Sequence, residues 1–317
     1  KPKVWPIEKP GILDFKRVKL VWERHDLFSG PGRRLANKLG VPFVISVEAP
    51  AVWEAEKWGV KRPLWGRWLE KYFEAESLKG ADLVCCVSDE VRNKVIEMGV
   101  SPEKAIVSHN RVDSSVFHPM IDGVEIQKKF NLVGKKVVGW TGSFRSFHGL
   151  DSMLLAFKNV HEKHPETVLM LVGDGMELET IRRQAQEFKI ADAVIFAGRQ
   201  PFINIPHFVA NFDVALVGAS SDEGFHYSPL KLREYLALGK AVIAPMAGNL
   251  PALFKDGIEL LLYRPGDSDD LAKKINMLLE DPLLHSTLKS KALELFEEEG
   301  TWVHELTRVC TLLNIKI

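Results

Sequence analysis

Short apolar runs recur along the chain, each followed by a loop rich in Gly, Ser or Asp and then by a segment with helical spacing. Such runs predict strands at residues 18–22, 42–47, 83–87 and 105–108, then at 136–140, 168–172, 194–196, 214–217, a stretch ending at 244, and 260–263. Helices are predicted at 32–39 (closed by Gly40), across a long region at 53–79, from Ser88 to Met98, from the loop at 141–149 to about 161, at 268–280, from 281, and at 301–313. Strand and helix alternate, so the fold class is α/β with parallel sheets and helical crossovers. A linker at 120–134 separates two such alternations, and in the second the loops at the strand carboxyl ends, Gly142-Ser143, Gly173-Asp174-Gly175 and Gly198-Arg199-Gln200, lie where Rossmann-like sheets bind ligands.

The stretch 222–244 joins a polar loop, a helix and a buried strand without a gap. Ser228 is expected as N-cap, Pro229 at the first helical position, and Gly239 in a left-handed conformation at the end. A helix start of this kind suits a phosphate. Lys231 in the first turn opposes the helix dipole unless an anion sits there. Glu234, three residues on, shares its face, and an ionised carboxylate can accept from the two hydroxyls of a ribose. The plainer alternative is an ordinary surface pair worth a few tenths, about 0.2–0.5, of a kcal/mol.

Composition narrows the field. The 317 residues are 46% hydrophobic and 26% charged with zero formal net charge, which describes a globular chain with no general attraction to nucleic acid. No apolar run approaches a membrane span and no signal peptide opens the chain, so a cytoplasmic protein, at most at the inner membrane face, is expected. Cys85 and Cys86 are adjacent in a strand and point to opposite faces; they and Cys310 are expected as buried thiols. The opening KPKVWPIEKPGILDFK does not begin with Met, so either residues precede Lys1 or the chain is an excised piece.

The run Ser228-Pro229-Leu230-Lys231-Leu232-Arg233-Glu234-Tyr235, with Ala237-Leu238-Gly239-Lys240-Ala241-Val242-Ile243-Ala244, resembles the donor-site signature of retaining glycosyltransferases of family 4. Trp22-Glu23-Arg24, Ser46-Val47-Glu48-Ala49-Pro50, Ala81-Asp82-Leu83-Val84 and His109-Asn110-Arg111-Val112-Asp113 are similar to segments of that family's first domain, with Arg111 where a glycine is usual. The resemblance implies a GT-B fold: two Rossmann-like domains with a cleft between them. It places an acceptor-side domain at 1–117, short of an N-terminal part and its Gly-rich loop, a donor-binding domain at 118–298, and a helix at 299–317 crossing back.

It also implies roles. Glu234 would bind the donor ribose, with Ser228, Pro229 and Leu230 facing the diphosphate. Gly142, Ser143, Gly173 and Gly175 would belong to the donor-binding loops, and Arg199 and Gln200 would follow the nucleobase place. Glu223, Gly224 and His226 would lie beside the sugar; the family's glutamate pair is absent, because His226 holds the first place and Glu223 lies three residues early. Ser143 and His148 stand where relatives carry Arg and Lys, so Arg145 and Lys231 are the candidate cations, and His148 donates a hydrogen bond or, protonated, a charge. Glu48 is a candidate for an acceptor hydroxyl, with a turn role as the alternative.

The implied activity is retaining transfer of a sugar from a nucleotide diphosphate donor, UDP or GDP, to a carbohydrate, lipid-linked or small-molecule acceptor. No covalent cofactor, metal or nucleic acid is expected. A nucleotide-sugar epimerase and an inactive scaffold subunit are the alternatives. The helix at 61–73, with Trp65, Trp68, Tyr72 and Phe73 among basic residues, suggests at most weak membrane contact.

Overall fold

The computed structural model describes residues 15–27, 30–57, 59–60, 65–222, 225 and 228–316. They form two compact units, Lys1–His109 with Val309–Ile317, and Asn110–Arg308.

In the first unit, β1 (Val21–Arg24), β2 (Phe43–Val47), β3 (Leu83–Cys86) and β4 (Ala105–Val107) pair in parallel in the order β1-β2-β3-β4. The first strand starts three residues later than its apolar run predicted. β2 and β3 are almost continuously buried because helices cover both faces of a parallel sheet. Cys85, Cys86 and Cys310 are buried and form no disulfide among the described residues, and burial pushes the Cys86 thiol up to about 12. The last segment of the chain returns here, where Val309 packs with Val44, Leu83 and Cys85.

The long helix expected at 53–79 is divided. Ala51–Lys57 is one helix; Trp65–Leu69 leads through a π-helical turn at Glu70–Glu74 into Ala75–Lys79. Glu74, fully buried in that turn, accepts from the backbone N–H of Ala51 and of Val52 and pairs with His25 Nε2 at 2.8 Å. The carboxylate thus ends one helix's unpaired donors from within another.

In the second unit β5 (Lys136–Ser143), β6 (Thr167–Asp174), β7 (Val194–Gly198), β8 (Val214–Leu216), β9 (Ala241–Pro245) and β10 (Leu261–Tyr263) pair in parallel in the order β10-β9-β8-β5-β6-β7. Alternate residues face opposite sides. Val137, Met170, Ala215 and Val242 meet Tyr235 and Phe296, whereas Val138, Leu169, Val214 and Ile243 meet Met153, Phe157 and Ile275. The chain runs outward through β6 and β7, then crosses to β8 on the other side of β5. The neighbours β5 and β8 therefore mark the topological switch point, where sheets of this kind bind ligands.

Arg111, which stands where a glycine is usual, does not adopt a positive φ. It is buried and pairs with Glu305 of the helix Trp302–Leu312 at 3.3 Å. Among the described residues no helix is long and apolar enough to cross a membrane, and no cluster of His, Cys, Asp or Glu is placed to hold a metal.

Candidate donor site at the switch point

β5 and β6 stay in register as far as Ser143 and Asp174, but β8 pairs with β5 only at Val138 and Gly139. From Trp140 onward the β8 side of β5 has no strand partner, and side chains of the helix Leu230–Ala237 fill that place. Tyr235, fully buried, anchors the helix: its hydroxyl accepts the Thr141 N–H at 2.8 Å and bonds the Thr141 hydroxyl at 3.0 Å.

The helix begins one step later than expected. Pro229 is its N-cap residue, and the Ser228 hydroxyl accepts from the Asn110 N–H at 3.3 Å instead of from the helix. The Asn110 amide in turn donates to the Ser228 carbonyl at 2.8 Å, so Ser228 is a buried anchor of the preceding loop rather than a cap. Gly239 does end the helix with φ +60.

Lys231 decides between the two sequence readings of this helix. Its Nζ is buried without a hydrogen-bond partner, 4.4 Å from the centroid of the Trp140 ring. Burial holds the ammonium down at about 7, against a smaller upward pull from Glu234. Glu234 is 7% exposed, and its carboxyl is pushed up to about 7 by burial, with Lys231 opposing. A solvated surface pair is therefore excluded. An unpaired buried ammonium is costly, by several kcal/mol in order of magnitude, and an anion is what would offset it.

His148 joins this cluster from the β5 loop. Its ring meets Trp140 edge-on at 5.5 Å between centroids, and its Nδ1 is buried without a partner. Burial, then the nearby Lys231 charge, push it down to about 2, with Arg145 adding to the push and a hydrogen bond from the ring to the Gly218 backbone resisting. In the ligand-free chain these surroundings favour the neutral imidazole over the protonated His148 that the sequence left open. The β5 and β8 loops close on each other here, with Ser220 N–H donating to the Phe147 carbonyl at 3.0 Å.

The glycines of the region divide by role. A Cβ on Gly142 would lie 2.7 Å from the Lys231 Nζ, so Gly142 makes room for the cation. On Gly173 it would lie 1.7 Å from the Gly142 carbonyl oxygen, and on Gly175 within 2.6 Å of that of Phe144, so these two let the β5 and β6 ends meet.

Among the remaining candidates, Ser143 and Arg145 are exposed on the β5 loop, and Leu230 is 43% exposed at the helix start. Arg199 is exposed after β7, and Gln200 donates to the Ala197 carbonyl at 2.6 Å. They lie two strands from β5, roughly 10 Å across the sheet. Glu223, Gly224 and His226 lie outside the described residues. Glu48 belongs to the other unit, where it is half exposed and pairs with Arg24 at 2.7 Å. Sequence reasoning missed Trp140, Tyr235 and Asn110. Trp140 and Tyr235 carry only a core signal, and Asn110 acts across 118 positions.

The family described as Glycosyl transferases group 1 matches residues 124–294, and Glycosyl transferase 4-like domain matches residues 16–111. The chain belongs to the glycosyl transferases group 1 family. The resemblance read from the motifs therefore holds, and the fold is GT-B. N-acetyl-alpha-D-glucosaminyl L-malate synthase of Bacillus anthracis is 28% identical over 224 residues, 70% of this chain and 56% of its own. The GDP-mannose-dependent alpha-(1-6)-phosphatidylinositol monomannoside mannosyltransferase of Mycolicibacterium smegmatis is 29% identical over 178 residues, 54% of this chain and 46% of its own. The chain thus spans about half the length of these curated relatives. Among solved structures, Anabaena HepE in complex with UDP superposes with a TM-score of 0.70 at 21% identity, covering 89% of this chain and 75% of that one.

Proposed function

We propose that this chain transfers a sugar from a nucleotide diphosphate donor to an acceptor hydroxyl with retained configuration, the second unit holding the donor and the first serving the acceptor. The observation that carries the proposal is the buried, unpartnered Lys231 ammonium at the switch point beside neutral His148 and Glu234. A diphosphate there restores full charge to Lys231. Arg145, exposed on the same loop, adds a second cation, and Glu234 accepts from ribose hydroxyls.

In the transfer, the bond between the anomeric carbon and the donor phosphate oxygen breaks as the acceptor oxygen bonds to that carbon on the same face. The acceptor proton passes to the leaving phosphate. The protein contributes positioning and electrostatic stabilisation of the departing diphosphate, with no protein nucleophile. UDP is supported by the HepE complex and GDP by the name of the mycobacterial relative, which also names a phosphatidylinositol monomannoside. In the first unit, Glu48 is the candidate to hold the acceptor hydroxyl, in exchange for its exposed Arg24 partner.

Calorimetric titration with UDP, GDP and ADP tests the donor site. One nucleotide should bind to the wild type and be lost in Glu234→Ala; equal binding to both would remove Glu234 from the site, and none to either would remove the site itself. Trp65 and Trp68 are 54% and 52% exposed, which supports a weak contact with a lipid surface. Sedimentation with anionic liposomes should show slight association, reduced in Trp65→Ala with Trp68→Ala.

A further inference from the structure

Trp140 is fully buried and the largest such side chain among the described residues, yet its indole N–H has no acceptor. A buried tryptophan ordinarily finds one, and a phenylalanine would fill much of the same space with no polar atom to satisfy. What an indole supplies beyond volume is the strongest π-face for a cation. The Lys231 Nζ lies over that face at 4.4 Å, and no other group bonds it.

The surroundings keep this geometry. Phe144 meets the indole edge-on at 5.4 Å and His148 at 5.5 Å, so the ring is braced on two sides. Gly142 leaves open the space beside both groups: a Cβ there would stand 2.7 Å from the Lys231 Nζ and 2.8 Å from Trp140 Cζ2. Tyr235, bonded to Thr141, ties the lysine's helix to the residue directly after Trp140. Ring and ammonium are thereby mounted on elements clamped together.

We propose that Trp140 is a positioning residue of the donor site, whose indole face favours the charged form of Lys231 and holds its ammonium in place for the diphosphate without itself touching the nucleotide. The proposal rests on the donor-site reading above. An ammonium held this way binds a phosphate without first having to be ordered, so the ring adds to diphosphate affinity through Lys231 alone.

Two measurements test it. Calorimetry compares wild type, Trp140→Phe, Trp140→Leu, Lys231→Met and the double variant Trp140→Leu with Lys231→Met, each with the nucleotide diphosphate that the wild type binds and with the matching nucleoside. Trp140→Leu should weaken the diphosphate about tenfold to thirtyfold, leave the nucleoside unchanged, and have no further effect once Lys231 is Met. Trp140→Phe should stay within about threefold of wild type, because it keeps a π-face. An equal loss of nucleoside binding, or an undiminished loss in the Lys231→Met background, assigns Trp140 a packing role and overturns the proposal.

The second measurement needs no nucleotide: the Lys231 side chain is titrated by NMR in 13C-lysine-labelled protein, with Lys231→Met giving the assignment. Losing the ring removes a partner of the charged form, so the midpoint should fall in Trp140→Leu and less in Trp140→Phe. An unchanged midpoint overturns the clamp. Should the wild type bind no nucleotide diphosphate, the donor-site reading fails, and the titration still decides whether the indole holds the ammonium.

Discussion

Glu74 in the first unit and Lys231 in the second are both charged groups taken out of water, but their surroundings treat them in opposite ways. The Glu74 carboxylate receives two backbone N–H groups and His25. The Lys231 ammonium receives no hydrogen bond, only the face of an indole. Burial of a charge with a full set of partners is a device of folding: it joins a helix start, a strand end and a π-turn. Burial without partners costs stability with no folding return, so it points to a partner that arrives later.

Breaking the satisfied site should have the largest effect. Glu74→Ala leaves two helix-end donors and His25 facing a void, and should cost about 3–5 kcal/mol in urea unfolding. Glu74→Gln, which can still accept, should cost less. The unsatisfied site should respond the other way: Lys231→Met keeps the stem, removes the buried charge, and should leave the ligand-free protein unchanged or more stable, by up to about 4 kcal/mol, while weakening diphosphate binding. A loss of stability comparable to that of Glu74→Ala would end the contrast between the two sites.

The dependence on pH sharpens it further. Glu234 is raised from 4.5 to about 7 in the folded chain, so between those values the folded state holds more protons and its contribution to stability falls as pH rises. Lys231 is lowered from 10.5 to about 7, so above 7 the unfolded state holds more protons and the contribution rises with pH. The two together produce a trough near pH 7. Subtracting the urea midpoints of Glu234→Gln from those of wild type should isolate the falling limb, and those of Lys231→Met the rising limb; a flat difference for either would deny that group its buried charge. The smallest effect belongs to exposed Arg145: Arg145→Ala should change stability by less than about 0.5 kcal/mol, while a drop in diphosphate affinity would place its guanidinium on the ligand.

Much of the fold was readable along the chain, because apolar runs and glycine-bearing loops are local signals of buried parallel strands. The division of the helix at 53–79 was not, since helical spacing alone does not register a buried carboxylate serving a neighbouring helix. Nor was the role of Ser228 readable. Its hydroxyl suits an N-cap by local rules, but Asn110 occupies it from 118 positions away. Lys231 and Glu234 were visible as residues on one helix face, while Trp140 passed for ordinary core.

The strands of the second unit follow from a pattern any reader of the chain can trace, and so does the placement of its loops at one end of the sheet, whereas the order of the strands does not. Whether Lys231 is a surface cation or a buried one awaiting an anion depended on folding: β8 pairs with β5 only before Trp140, and this opens the space the ammonium enters. The physical reason is that periodicity records which residues avoid water, a property of each segment. The partners a charge finds depend on what distant segments bring beside it, and only the packed sheet establishes that.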